Sequence, residues 1–224
     1  MIWNDEVLFI HVPKTGGMSM TSVLETSLPG PVFSSVPAGH EGDQPNVTYV
    51  AGTRHERVHE AEQILARHGR SLGDFQVIIA GMRNPYDLEV SRYHHIKTHF
   101  WDQPLRNVEL IRSEGFAGFC AHSNFYGANP PAIHQYYTNR WEPLPQLRIV
   151  KYENLAADLS DALTPYVLDL GEMPHLNATD RASWQEMMTP EIEAAIHSRF
   201  NWLFDQGYYQ RYRPDSWGLT GSEN

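Results

Sequence analysis

The 224-residue chain contains a single cysteine and no long hydrophobic run. One thiol cannot form an internal disulfide, which is typical of a protein kept in a reducing compartment. No uncharged apolar segment approaches the roughly 20 residues that span a bilayer, and the acidic start MIWNDEV lacks the basic region of a signal peptide. We therefore expect a cytoplasmic protein without a membrane span. Cys120 lies among apolar residues, which favours a buried structural thiol over a nucleophile.

Positive charge is also scarce. Lys and Arg total 17 against 27 Asp and Glu, which gives a formal net charge of −10 with the 12 histidines neutral. Because a nucleic-acid-binding surface is basic, this balance argues against a nucleic-acid partner. It also disfavours a long polyanionic glycan as ligand. A local basic pocket remains compatible with it, so a basic residue beside a turn is informative.

Hydrophobic periodicity predicts one α/β domain covering residues 1–224, in which residues 213–224 form a loose tail. Strands are expected at 7–10, 47–50, 76–82 and 147–151, helices at 58–68, 86–97, 158–168 and 190–204, a loop at 29–46, and short helices joined by loops within 98–146. Strands that alternate with helices indicate a mainly parallel central sheet flanked by helices.

The segment VLFIHVPKTGGMS at residues 7–19 is the most informative part of the chain. The apolar run Val7–Ile10 predicts a buried strand, after which Gly16 and Gly17 lead into a helix-compatible stretch. A strand, a glycine turn and a helix start form an anion-binding cradle, to which Lys14 adds a positive charge. In a Walker A loop the lysine follows the glycines, whereas here it precedes them, so this is not an ordinary nucleoside-triphosphatase loop. Taken alone, a purely structural glycine turn with a surface lysine remains an alternative.

A second strand, QVIIAGM, delivers Arg83 to the carboxyl end of the expected sheet. Asn84 and Pro85 fit the N-cap and first position of the helix that follows, and Ser91 comes about two helical turns later. Ligands of open α/β sheets bind at the carboxyl ends of parallel strands. Arg83 and Ser91 can therefore hold a second phosphate through charge-assisted and hydroxyl hydrogen bonds. A surface ion pair and an ordinary helical serine are the alternative.

These segments together resemble a known family. FIHVPKTGGMS resembles the 5′-phosphosulfate loop of sulfotransferases that use 3′-phosphoadenosine-5′-phosphosulfate (PAPS), and IIAGMRNPYDLEVSRY resembles their 3′-phosphate-binding segment. GTRHERVHEAEQIL is similar to the histidine-containing segment between those motifs, IVKYENLAADL to a later strand–helix element, and MPHLNATDR and FNWLFDQGYY to the C-terminal portion. The resemblance spans residues 7 to about 209 and is closest to the carbohydrate branch with the heparan sulfate 2-O enzymes and bacterial relatives.

The resemblance implies a P-loop-like three-layer sandwich that moves a sulfuryl group from PAPS to an acceptor hydroxyl and releases adenosine 3′,5′-bisphosphate (PAP). Lys14 would contact the sulfonate and the bridging oxygen, and Arg83 and Ser91 would bind the 3′-phosphate. The 5′-phosphate would be wrapped by Thr15, Gly16, Gly17, Met18 and Ser19. Sulfuryl transfer builds charge on the leaving oxygen, which a preplaced lysine and backbone donors stabilise, so no metal is needed. The acceptor would be a carbohydrate or a small molecule.

His55 is our first candidate for the base that deprotonates the acceptor, because it lies in the segment similar to the family's histidine-bearing stretch. An ordinary structural role for His55 stays open. His11 is assigned a structural role. Other candidates are His40, His59, His94 and His95. His55 and His59 have the spacing of a metal pair, but a convincing third ligand is missing, so no metal site is expected.

Two positions depart from the family pattern. Met18 stands where the family usually carries Thr, and Leu88 where it often carries Arg. Neither replaces a central phosphate ligand, so both bear on affinity more than on the class of reaction. Two other functions stay open: a small-molecule kinase with an atypical P-loop, and a non-catalytic nucleotide- or glycan-binding module that has kept the cradle. The sequence does not give the oligomeric state.

Overall fold

The computed structural model describes residues 1–167, 170 and 183–217. The strands are β1 (Ile2–Trp3), β2 (Val7–Ile10), β3 (Val32–Val36), β4 (Val47–Ala51), β5 (Val77–Met82), β6 (Thr138–Asn139), β7 (Glu142–Pro143) and β8 (Leu147–Lys151). The α-helices are α1 (Gly17–Ser27), α2 (Val58–Arg67), α3 (Pro85–His99), α4 (Arg106–His122), α5 (Leu155–Leu163), α6 (Pro190–Arg199) and α7 (Asn201–Asp205). None of these helices is both long and apolar enough to cross a bilayer.

The main sheet of the described chain has six strands in the order β4-β3-β1-β2-β5-β8. The pairs β2–β5, β5–β8 and β3–β4 are parallel, whereas the short β1 is antiparallel to both of its neighbours. Side chains alternate between the two faces of a strand, and on one face Val7, Phe9, Val77 and Ile79 form a buried core with apolar residues of α1 and α5. The predicted α/β class with a mainly parallel sheet flanked by helices is confirmed.

The chain divides into two compact units, each made of two separate stretches. The sheet unit comprises residues 1–83 and the described part of 134–179, and the helical unit comprises residues 84–133 and the described part of 180–224. The predicted organisation as one domain stays a prediction.

Within the helical unit, the segment around Tyr212 and Trp217 makes specific contacts, and the loose tail expected at residues 213–224 stays a prediction. The Tyr212 N–H donates to the Tyr86 hydroxyl (3.2 Å), which itself donates to Glu193 (2.7 Å). Trp217 packs edge-on against Tyr212 and belongs to a 3-10 turn at Asp215–Trp217. The remainder of the tail, residues 218–224, lies outside the described residues.

The prediction of a loop at residues 29–46 is wrong for Val32–Val36, which form β3. Turn-forming residues of the sequence PGP precede it and obscure the signal, but the β-branched and aromatic residues of VFSSV suit a strand. Backbone pairing with β1 on one side and β4 on the other then fixes the strand.

Within residues 98–146, where short helices joined by loops were predicted, α4 spans 17 residues, but its helical geometry is interrupted at Gly115, where φ is 64°. The kink divides α4 into two shorter helical pieces. The predicted helix 190–204 is instead divided into α6 and α7 at Phe200. The helix predicted at 158–168 begins earlier, at Leu155, and ends at Leu163. The segment MPHLNATDR, residues 173–181, lies outside the described residues.

Candidate functional site

Three parallel strands of the sheet unit end side by side and bring three separate segments together. The segment after β2 contains Lys14, the residue after β5 is Arg83, and the residue after β8 is Tyr152. The carboxyl edge of a parallel sheet is the usual ligand-binding edge of an α/β fold. The sequence therefore places its glycine turn where a ligand site is expected.

The turn itself has an unusual backbone. Lys14 has a φ of 64° and Gly16 a φ of 84°. For a residue with a Cβ, this left-handed conformation costs roughly 1–2 kcal/mol, so the surroundings must impose it on Lys14. Thr15 is buried, and its hydroxyl donates to the Val12 carbonyl (2.9 Å). On β5, a Cβ at Gly81 would lie 2.4 Å from the Thr15 Oγ1, so only glycine leaves room for this threonine.

Arg83 holds the turn from the neighbouring strand. Its guanidinium donates to the Lys14 carbonyl oxygen (2.9 Å) and lies over the Tyr152 ring, 3.7 Å from the ring centroid. The residue is only 6% exposed. Tyr152 was not among the predicted site residues; its position directly after a strand is the signal that could have identified it.

Helix α1 begins at this turn, and no side chain caps its start. Its N-cap is Gly16, which has no side chain to bond the first N–H groups, and its first turn contains no acidic residue. The first-turn N–H groups of an α-helix have no partner within the helix, and the helix dipole favours negative charge there. Ser19 is buried within this turn, whereas Met18 is 41% exposed.

His55 lies against the strand that leads into the turn. Its Nδ1 is 3.1 Å from the His11 carbonyl oxygen. A carbonyl oxygen only accepts hydrogen bonds, so Nδ1 carries the proton and Nε2 carries the lone pair of the neutral ring. Burial lowers the pKa of His55 to about 4, against the opposing effect of this hydrogen bond. The imidazole is therefore neutral at pH 7.

His11 is buried between β2 and α1. Its ring lies edge-on to that of His55 with the centroids 4.5 Å apart, and burial together with His55 holds its pKa well below the usual value. A Cβ at Gly17 would lie 2.0 Å from Cδ2 and Nε2 of His11. Position 17 therefore requires glycine because the imidazole occupies the space beside it.

Arg54 is a cation of this site that the sequence analysis did not single out. Its φ is 73°, and its Nη1 lies 3.4 Å from the Met18 Sδ in the first turn of α1. The backbone N–H groups of Thr53 and Arg54 donate to the Glu56 carboxylate (2.5 and 3.1 Å), which fixes this tight turn. Arg54 belongs to no motif. Its position next to His55, in a chain with few basic residues, is the signal that could have identified it as a site residue.

The remaining predicted residues are placed as follows. Ser91 is half-buried on α3 in the helical unit, whereas Arg83 belongs to the sheet unit. Their joint binding of one phosphate stays a prediction. His40 and His59 are exposed, and Cys120 is buried in α4, where burial raises the pKa of its thiol. Among the described residues, no group of three His, Cys, Asp or Glu side chains is arranged to hold a metal ion.

Comparisons with known proteins identify one similar family. No curated protein sequence matches the chain. The crystal structure of mouse sulfotransferase SULT7A1 complexed with PAP aligns with a TM-score of 0.44 and 17% identity, over 94% of this chain and 67% of that chain. Residues 76–166 match the family model of the sulfotransferase domain. This stretch contains Arg83, Ser91 and Tyr152, and over its length the chain is similar to sulfotransferases.

Proposed function

We propose that the protein is a sulfotransferase that moves a sulfuryl group from PAPS to an acceptor hydroxyl and releases PAP. The observation that carries the proposal is the Lys14 turn, a lysine in the left-handed conformation at the uncapped start of α1, held by Arg83. The match of residues 76–166 to the sulfotransferase domain supports the same reaction from a separate part of the chain.

In this proposal the 5′-phosphate of the donor binds at the start of α1. Backbone N–H groups from Thr15 to Ser19 would contact it, and the helix dipole would favour its charge. The Lys14 ammonium would lie at the sulfonate and at the oxygen that bridges sulfur and phosphorus. As the sulfur–oxygen bond breaks, negative charge grows on that oxygen, and a fixed cation stabilises it without reorganisation.

Arg83 and Ser91 would bind the 3′-phosphate, which distinguishes PAPS from ordinary nucleotides. Because the Arg83 guanidinium also donates to the Lys14 carbonyl, it would link the two phosphate-binding regions of the donor. Arg54 would add a further cation beside the 5′-phosphosulfate. Arg54 Nη1 lies 3.4 Å from the Met18 Sδ, so the thioether would orient this cation where the family usually carries a hydroxyl donor.

The acceptor would be activated by His55. The acceptor oxygen attacks sulfur, the bond from sulfur to the bridging oxygen breaks, and the acceptor proton passes to the Nε2 of His55. The His11 carbonyl fixes the Nδ1–H of His55 and thereby keeps the lone pair on Nε2. The acceptor would be a carbohydrate or small-molecule hydroxyl, and the step needs no metal.

The test is sulfuryl transfer by a Lys14→Ala variant, with Lys97→Ala as the matched control. Lys97 lies on α3 over the Tyr93 ring, so its loss removes the same charge elsewhere. With sulfur-labelled PAPS and a panel of hydroxyl acceptors, Lys14→Ala should lower single-turnover transfer by about 100-fold or more, while PAP binding is partly retained. Lys97→Ala should transfer at the unmodified rate.

Other results would point to other functions. Full turnover by Lys14→Ala would contradict the role of the lysine. Magnesium-dependent ATP hydrolysis without any response to PAPS would indicate the kinase. Tight PAP binding with no transfer to any acceptor would indicate a non-catalytic module.

A further inference from the structure

The hairpin formed by β6 and β7 has a two-residue loop of unusual composition. Asn139 pairs with Glu142, so Arg140 and Trp141 form the loop, and both have positive φ, 49° and 74°. Positive φ at both central residues is the requirement of a type I′ turn, which Asn-Gly normally satisfies. The chain instead keeps two large side chains in a conformation that disfavours them. Such strain is a reason to look for a function at this position.

Trp141 is the most exposed large apolar residue of the described chain, at 68%. One face of its indole is stacked on the His134 ring, with the centroids 3.7 Å apart and the planes 13° from parallel. Because His134 covers that face, the exposed area is the other face and the ring edges. The hairpin thus presents a flat aromatic surface, supported from behind, to solvent.

A groove of about 650 Å³ lies beside the hairpin. Its polar lining comes from Glu62, Ser71, Asn139, Arg140, Glu142 and Gln146. The Asn139 amide donates to the Glu62 carboxylate (2.9 Å), while its buried Oδ1 has no hydrogen-bond partner among the described residues. A buried acceptor without a donor is costly, and a hydroxyl group in the groove would relieve this cost only where the Asn139 side chain turns toward it.

The groove is separate from the Lys14 turn. Its lining includes Ser71–Gly73, shortly before β5, and Leu144–Gln146, directly before β8. These are the amino ends of strands whose carboxyl ends carry Arg83 and Tyr152. With roughly 3.3 Å per strand residue, the six residues of β5 keep the two regions on opposite edges of the sheet.

We propose that this groove binds a neutral oligosaccharide together with the indole of Trp141, which follows the lining residue Arg140 without itself lining the groove. The apolar face of a pyranose ring suits a flat indole, and its hydroxyl groups suit a lining of amides, carboxylates and a serine. Two carboxylates against one guanidinium disfavour a polyanionic chain. The site would hold a saccharide without acting on it, and the inference does not rest on the proposed sulfuryl transfer.

The experiment uses the full chain labelled with 5-fluorotryptophan, in which a Trp141→Phe variant assigns the Trp141 resonance. Maltohexaose, cellohexaose and chitohexaose are titrated separately, with heparin as the polyanion. At least one neutral hexasaccharide should shift the Trp141 resonance in a saturable manner, with and without excess PAP. Trp141→Ala and Asn139→Ala should each weaken binding at least fivefold. Trp101→Ala, which removes another exposed indole, should leave binding unchanged.

A double variant, Arg140→Asn/Trp141→Gly, separates folding from binding. It supplies the residues that a type I′ turn prefers, so its Tm should be equal or higher while saccharide binding is lost. Three results would overturn the proposal: no Trp141 shift with any neutral hexasaccharide, a shift with heparin alone, or a shift that follows protein concentration, which would indicate contact between two copies of the chain.

Discussion

Lys14 combines a strained backbone with a charged side chain, and the proposed role of this residue at the phosphate site explains both properties. Its left-handed φ of 64° redirects the chain from β2 toward α1. The Lys14 carbonyl oxygen then accepts a hydrogen bond from the Arg83 guanidinium. Strain of this kind persists where the surroundings over-determine it, and it is concentrated at functional sites. The sequence predicted the lysine and the glycine turn, but the clamp from β5 could not be read from it, because the contact joins residues 69 positions apart.

The proposed role of His55 as the base gives a prediction about the pH dependence of activity. The pKa of His55 is lowered to about 4, chiefly by burial, so its Nε2 is unprotonated throughout the neutral range. The acid limb of kcat/KM should therefore fall near pH 4, whereas a solvated histidine would give a limb near its usual pKa of about 6.5. Measurement of transfer between pH 4 and 8 distinguishes the two. An acid limb near 6.5 would contradict the proposed environment of His55.

The same residue predicts how stability changes with pH. Between about 4 and 6.5 the unfolded chain protonates this histidine and the folded chain does not, so the free energy of unfolding should rise with pH in that window and level off above it. Because the residue is half-buried, we expect a contribution of roughly 1–3 kcal/mol. Urea unfolding at pH 5 and 7.5 measures it. His55→Asn keeps a donor for the His11 carbonyl and should reduce the difference between the two pH values; an unchanged difference would assign it to other groups, such as His11.

At the scale of the elements, the junction of β2 and α1 depends on close approach between His11 and Gly17. A Cβ at position 17 would lie 2.0 Å from the imidazole. Overpacking of this kind typically costs about 1–3 kcal/mol, so Gly17→Ala should lower the free energy of unfolding by that amount and weaken PAP binding, because the ring or the helix start must move.

Gly73→Ala is the matched control for this substitution. Its added Cβ would meet only the Ser71 Oγ, at 3.8 Å, and neither glycine has a positive φ. Gly73→Ala should therefore change the free energy of unfolding by less than about 0.5 kcal/mol. Chemical denaturation measures the free energy of unfolding of both variants. Equal values for Gly17→Ala and Gly73→Ala would show that His11 and the helix start accommodate the methyl group.

The elements also show which sequence signals were sufficient. The predicted strand at residues 7–10 is apolar and buried and is confirmed, and the strand predicted at 76–82 is confirmed from Val77 to Met82, where every residue is buried. β3 was missed because its identity comes from pairing on both sides, and the β6–β7 hairpin was missed because Arg-Trp is not a turn signal. Local propensity identifies elements with strong patterns, whereas long-range pairing decides the weaker ones.

At the scale of the whole molecule, the chain contributes two stretches to each compact unit. The main sheet and the Lys14 turn belong to one unit and Ser91 to the other. The sequence predicted the fold class, because alternating strands and helices permit few topologies. It predicted a second phosphate site at Arg83 and Ser91 from the strand end and the helical spacing, whereas PAPS as the donor came only from the resemblance. Joint binding of one phosphate by these two residues stays a prediction.

The most direct test of the central claim is calorimetric titration of the unmodified protein with PAP and, separately, with ATP and magnesium. A site that contacts both the 5′- and the 3′-phosphate should bind one PAP per chain, and it should bind ATP at least tenfold more weakly. Arg83→Ala should reduce the preference for PAP, because the charge assigned to the 3′-phosphate is removed. Equal or tighter binding of ATP, or an Arg83→Ala variant with unchanged PAP affinity, would contradict the account.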